Sequence, residues 1–262
     1  MVYTACVFLT HTPMSGHSKW HNIQARKSVT DAKKGQSYSK HAKLVEVAAR
    51  SGGDIGINVS LRAAVERAKA DGVPNANIER AIKKGTGELK DDTIISDALY
   101  EARGPANTVM LIDVLTDNKN RSLQSVKLIL MKNGGELGAA GTVAWMFDKV
   151  GLIEISLAGG KSADEIELAA IDAGASDVNV EEGMVEVKTD PSDLHAVKVA
   201  LEKAGHTISK SEITYLPKNT VEVSDVEKAR QLLKLIELLE EDDDVTNVYG
   251  NYEIADSIAE EV

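Results

Sequence analysis

The 262-residue chain has a single cysteine, Cys6, and only five prolines, and 4% of it is aromatic. One thiol excludes an intramolecular disulfide framework and a cysteine-built zinc site, and it fits a reducing interior compartment. So few prolines exclude a proline-rich scaffold. No apolar run approaches the roughly 18–20 residues that a membrane-spanning helix needs, so no membrane partner is expected. What the chain does have is 43% hydrophobic and 27% charged residues, the profile of a soluble globular protein that buries real cores. Its length suits two or three domains.

The net charge of −11 conceals a split. Residues 14–90 carry 15 Lys/Arg against 7 Asp/Glu, a net of +8, whereas residues 91–262 carry 15 against 34, a net of −19. A sign change of this size points to a basic head that meets a polyanion and an acidic body with another task. Residues 1–13 are uncharged and lack the features of a secretory signal or a mitochondrial presequence. They read as an upstream start or a disordered extension ahead of Met14.

Periodicity organises the rest. Tyr38, Ala42, Val45 and Ala49 recur at helical spacing within 37–50, and Gly52-Gly53 stops them. Leu61, Ala64, Val65 and Ala68 form a second stripe. A third helix starts at Pro74 and ends at Lys83-Lys84-Gly85. Together these predict a basic three-helix bundle over 14–90. Beyond it the pattern turns to α+β, with strands at 107–115 and 142–147 around a helix at 120–132. A hairpin is expected over 142–156, turning at Lys149–Gly151. Ser162 and Glu165 form a capping box for a helix ending near Gly174. A strand pair follows over 177–188, and then a helix opened by Asp190-Pro191. The chain closes with a strand at 208–216, a helix capped by Ser224 and Glu227, and a strand at 245–250. The element count predicts one α+β domain (138–206) inserted into a discontinuous second one (91–137 with 207–262). Trp145 and Phe147 are expected in a core.

The densest chemistry lies in Gly16–Gly35. Lys19, Arg26, Lys27, Lys33 and Lys34 are long donors suited to phosphate oxygens, His17, Ser18, Asn22 and Gln24 add hydrogen bonds, and Trp20 either stacks on a base or anchors the segment. Lys40, Arg80, Lys83 and Lys84 continue the basic surface. Asn75, Asn77 and Arg80 place base-edge readers near the start of the third helix.

Other chemistries find no support. His17 and His21 have a zinc-pair spacing but no third ligand. Gly160-Lys161-Ser162 fails as a phosphate loop, because Ile155 stands where its first glycine belongs. Gly134–Gly141 follows a helix and precedes a strand, the reverse of the dinucleotide-binding order, and reads as a flexible inter-domain crossing. Gly85-Thr-Gly87 reads as a helix C-cap. No catalytic carboxylate pair, nucleophile arrangement or aromatic RNA-recognition signature is present, so neither enzyme nor cofactor nor metal is expected. The run Glu240–Asp244 reads as a solvated helix end.

Met14-Ser-Gly-His-Ser-Lys-Trp20, Arg26-Lys27, Asp31–Gly35 and Asn77–Gly87, with Tyr100–Pro105, Asp117–Arg121 and Gly141–Phe147, resemble the YebC family. This family of probable transcriptional regulators includes the mitochondrial translational activator of cytochrome oxidase. The resemblance covers 14–251. His21, Gln24-Ala25 and Tyr38 depart from the family's usual residues, and residues 1–13 have no counterpart in it. The resemblance implies a cytosolic, non-enzymatic protein with an N-terminal helical bundle and two ferredoxin-like α+β domains. It implies a regulator that binds DNA through the basic N-terminal domain. The alternative it offers is a ribosome-associated factor that binds ribosomal or transfer RNA and relieves stalling at stretches such as polyproline. Oligomeric state is not legible.

Overall fold

The computed structural model describes residues 31–89, 94–157, 162–181, 183–259 and 261, the side chains of 31–34 and 181 excepted. Three helices come first: α1 (Asp31–Ala49), α2 (Val59–Ala70) and α3 (Asn75–Gly85). Their expected stripes meet in one core of Val45, Ala49, Leu61, Val65, Ala68, Ile78 and Ala81. Asn58 locks the α1–α2 corner: its side chain accepts from the Leu61 N–H and donates to the Ala48 and Gly52 carbonyls. Gly85 serves close packing, since a Cβ there would lie 2.2 Å from the Glu46 carbonyl oxygen of α1. The left-handed residue that ends α3 is Gly87 at φ +79°.

β1 (Ser96–Arg103) and β2 (Val109–Thr116) form an antiparallel hairpin, followed by α4 (Lys119–Lys132) and the short β3 (Glu136–Leu137). The chain returns to this sheet only after residue 218, with β8 (Val221–Val223), α7 (Val226–Glu240), β9 (Val245–Gly250) and β10 (Tyr252–Ile254). The sheet order is β3-β1-β2-β9, and β8 and β10 pair in parallel beside it, an addition the sequence did not suggest. Met110, Ile112, Leu130, Leu232, Leu235 and Tyr252 fill the core under α4 and α7. Asp225, not Ser224, caps α7, accepting from the Glu227 and Lys228 N–H groups at 2.9 and 3.1 Å.

The glycine-rich stretch that ends at Gly141 is held, not flexible. The Gly138 N–H donates to the Glu101 carbonyl at 2.7 Å, and the Glu101 carboxylate accepts from the Gly141, Val143 and Ala144 N–H groups. Burial opposes ionisation of this carboxyl, but the backbone donors outweigh it and hold it below the usual carboxylate range.

Residues 145–218 form a second compact unit. Its elements are β4 (Phe147–Ser156), α5 (Ala163–Asp172), β5 (Asp177–Glu181), β6 (Met184–Thr189), α6 (Leu194–Lys203) and β7 (Ile208–Pro217), in sheet order β5-β6-β4-β7. This βαββαβ arrangement is the ferredoxin-like split βαβ motif. Four expectations are corrected here. The hairpin over 142–156 is one unbroken strand preceded by a 3-10 turn at Ala144–Met146. Gly151 lies inside that strand because a Cβ there would meet Thr189 Oγ1 at 2.3 Å and Leu194 Cβ at 2.9 Å, so it makes room and does not turn the chain. Without the hairpin the sheet takes its fourth strand from 208–217, which pairs with β4 and not with the outer sheet. Trp145 sits ahead of the strand and is 67% exposed, while Phe147 is buried as expected. Ser162 holds the N-cap position of α5, yet its side chain makes no capping bond.

Candidate nucleic-acid interface

His17, Ser18, Lys19, Trp20, Asn22, Arg26 and Lys27 lie outside the described residues. Lys33 and Lys34 lie in the first turns of α1, with their side chains outside the description. The cations whose surroundings are described fall into two groups.

The first group is committed to the fold. Lys40 of α1 donates to the Glu240 carbonyl at the C-terminal end of α7. Burial lowers its pKa, and the nearby Glu240, Asp242 and Asp243 offset part of that shift. Lys43, one turn on, donates to the Asp243 carbonyl and to Asp244 Oδ1, both at 2.7 Å. Asp244 is 6% exposed and also accepts from Ser122 Oγ at 2.6 Å, Arg121 at 2.8 Å and Thr116 Oγ1 at 3.1 Å. Burial alone would raise its carboxyl, but Lys43, Ser122 and Arg121 reverse the effect and hold it far below the usual range. The acidic run is therefore solvated only in part, because its last member anchors α1 and α4 to the end of α7. Arg62 is likewise occupied, donating to the Ile55 and Gly56 carbonyls.

The second group remains in water. Arg50, Lys69, Arg80 and Lys83 are exposed, and among the described residues their side chains make no hydrogen bond or ion pair. Arg80 and Lys83 stand on α3, where Asn77, Arg80 and Lys84 follow at spacings of three and four and border one open groove of about 710 Å³. Lys43 and Ser39 of α1 and Arg121 at the start of α4 border it too. Four carboxylates also border it: Asp117 faces Arg121 at 2.7 Å and Asp244 is bound as above, beside Glu46 and Asp243. An exposed, unpartnered guanidinium or ammonium neutralises a phosphate without breaking an existing bond, so this group is the one suited to a polyanion.

Of the expected interface, the structure thus brings Arg80 and Lys84 to one groove, leaves Lys83 exposed beside it, and assigns Lys40 to the fold. Sequence reasoning missed Lys43, Arg121 and Asp244 as a unit. The only signal for Arg121 was its place in the Asp117–Arg121 motif. Among the described residues no group of three or more His, Cys, Asp or Glu is placed to hold a metal ion, and no helix is long and apolar enough to cross a membrane.

Two family models match the chain: the TACO1/YebC protein N-terminal domain over residues 18–88, and the TACO1/YebC second and third domain over 95–252. A probable transcriptional regulatory protein of Thermoanaerobacter pseudethanolicus is 49% identical, covering 93% of this chain and 98% of its own. A protein of the same description from Fusobacterium nucleatum is 42% identical, covering 95% and 100%. The crystal structure of a conserved hypothetical protein from Aquifex aeolicus superposes with a TM-score of 0.80 at 39% identity, covering 92% of this chain and 99% of that one.

Proposed function

The chain belongs to the TACO1/YebC family, and on that premise we propose that it is a regulator of transcription that binds duplex DNA through its basic N-terminal segment and catalyses no reaction. The observation that carries the reading is the exposed, unpartnered pair Arg80 and Lys83 on α3, within a segment of net charge +8 attached to a body of net charge −19. The relatives' description as probable transcriptional regulatory proteins supports the same reading. Lys19, Arg26, Lys27, Lys33 and Lys34 extend the phosphate-binding surface, Asn75 and Asn77 supply base-edge contacts, and Lys84 steers from the groove. Lys40 is left out of this set.

Mechanistically, binding is phosphate neutralisation first and base contact second. Each phosphate neutralised on a duplex releases counterions and contributes about −0.9 to the slope of log K against log salt. Five contacts from the Lys19–Lys34 group give a slope of roughly −3 to −5. Fluorescence anisotropy of a labelled duplex across a salt series tests this. Arg26→Ala with Lys27→Ala reduces the slope magnitude by about 1.5 to 2 and leaves folding intact. Salt-independent association, or none, rejects the reading. Tight binding to RNA with none to DNA replaces the transcriptional reading with a translational one.

A further inference from the structure

We propose that α4, inside the acidic body, is a second phosphate-contacting element that carries the nucleic-acid track onward from α3. The proposal rests on the nucleic-acid reading above and deepens it.

The composition of α4 is the first observation. Its fourteen residues include Lys119, Arg121, Lys127 and Lys132 and no Asp or Glu. Among the described helices beyond residue 94 it alone lacks an acidic residue: α5 holds four, and α6 and α7 each hold at least one. A helix free of carboxylates within a segment of net charge −19 is not the mixed surface that solubility alone produces.

The second observation is how these cations are used. Arg121 is bound to Asp117 and Asp244. Lys119, Lys127 and Lys132 are exposed, and among the described residues their side chains have no hydrogen bond or ion pair. Several lysines of the inserted unit are paired instead, with Lys188 on Asp177 at 3.0 Å, Lys210 on Glu212 at 2.6 Å and Lys218 on Asp148 at 3.2 Å, while Lys203 is exposed without such a pair among the described residues. The acidic turn after α7 meets α4 along Ser122 and Ser125. Helical spacing places Asn120, Gln124, Lys127 and Met131 on the opposite stripe. The carboxylates therefore do not screen Lys127, and Lys132, on the Ser125 stripe, stands two turns beyond that contact.

Continuity is the third. The groove bordered by Arg80 and Lys84 of α3 is bordered also by Arg121 at the start of α4. A phosphate backbone that meets α3 there reaches the first turn of α4 next, and fourteen helical residues extend about 21 Å beyond, the span of about six duplex base pairs on one strand. Leu128 and Met131 are 52% and 65% exposed on this helix. Two such side chains fall short of the few hundred Å² of a protein-docking patch, and beside lysines they suit sugar edges. Charge decides the occupant.

The test uses the full chain with Lys119, Lys127 and Lys132 changed together to Ala, beside Arg80→Ala/Lys83→Ala, on one labelled duplex over a salt series. The triple variant keeps the native circular dichroism and Tm, weakens binding about tenfold, and reduces the slope magnitude by about 2 to 3. If the triple variant matches the native chain while the α3 variant loses both affinity and slope, the α3 reading stands and α4 is a solvated face. If neither variant changes affinity or slope, the contacts lie in the Lys19–Lys34 group and the α4 proposal falls; if the native chain itself does not bind, the nucleic-acid reading fails with it.

Discussion

α1 and α3 pack into the same small core and carry the same kind of charge, yet they use it in opposite ways. α1 turns Lys40 and Lys43 onto the end of α7, where a carbonyl and the buried Asp244 receive them. α3 leaves Arg80 and Lys83 in water with no bond to give up. A basic segment is thus not one surface but two sets of cations, separated by whether each has been desolvated and partnered. Lending Lys43 to a phosphate would deprive Asp244 of a charged partner at a site that is nearly closed to water. Lending Arg80 breaks nothing.

The largest expected effect comes from breaking the α1 side. Asp244→Ala leaves Lys43, Ser122 and Thr116 without their shared acceptor, and we expect a loss of about 2–4 kcal/mol in urea denaturation. The value sits at the lower end of the buried-pair range because Arg121 is largely solvated. Lys43→Ala costs less, since Arg121, Ser122 and Thr116 still satisfy the carboxylate. The Asp244 carboxyl is depressed in the folded state, so its contribution is complete above about pH 4 and disappears as pH falls further. A loss below 1 kcal/mol for Asp244→Ala would mean that the α1 cations are as free as those of α3.

A smaller effect sharpens the other side. Arg80→Ala with Lys83→Ala should weaken duplex binding about tenfold and lower the salt slope by about 1.5 to 2, with stability unchanged within about 0.5 kcal/mol. Lys40→Ala should do the reverse, shifting the urea midpoint and leaving the slope where it was. Equal slopes for the two variants would erase the distinction between the helices.

Why the sequence showed some of this and hid the rest follows from particular residues. Stripes such as Val45/Ala49 and Leu61/Val65/Ala68 are set by one helix's period, and they are found buried where expected. The pair β5–β6 turns at Gly183, which has φ +83°, as its position suggests. Gly151 misled because a glycine that makes room for Thr189 and Leu194 looks the same in sequence as one that turns the chain. The false hairpin then displaced Trp145 and the strand at 208–217. Moving β1 to a place after β3 would give the outer sheet the strand order of the inserted one. The two sheets are thus alike in space and differ in chain order, which periodicity does not reveal. Asp244 hid within Glu240–Asp244 because burial there is decided by Lys43, Thr116, Arg121 and Ser122, which stand 201, 128, 123 and 122 residues away in the chain, and not by the composition of the run. The charge split was legible, but the sorting of lysines into bound and free was not, since each partner is distant in sequence.

The smallest effect lies in the α1 core. His41 is 7% exposed, its Nε2 is 2.6 Å from Asp71 Oδ2, and its Nδ1 is buried with no partner among the described residues. Burial lowers its pKa and Arg67 adds to that, while the charge and hydrogen bond of Asp71 oppose the shift without cancelling it. Protonation would put a second N–H on Nδ1 where nothing accepts it. The folded chain therefore holds His41 neutral at a pH where the unfolded chain, with an ordinary value near 6.5, has begun to bind a proton. Stability is unaffected by this group well above pH 6.5 and falls as pH drops below it, with a slope of at most about 1.4 kcal/mol per pH unit for the one proton. Urea midpoints between pH 7.5 and 5.5 should show this decline in the native chain. His41→Gln should lack that component, whatever the other titrating groups contribute to both chains. The salt slope of DNA binding, to which His41 makes no contribution, should not differ between native chain and variant at pH 7.5. Parallel midpoint curves for the two proteins would show that His41 titrates as it does in water, and that this end of α1 is less closed than its burial implies.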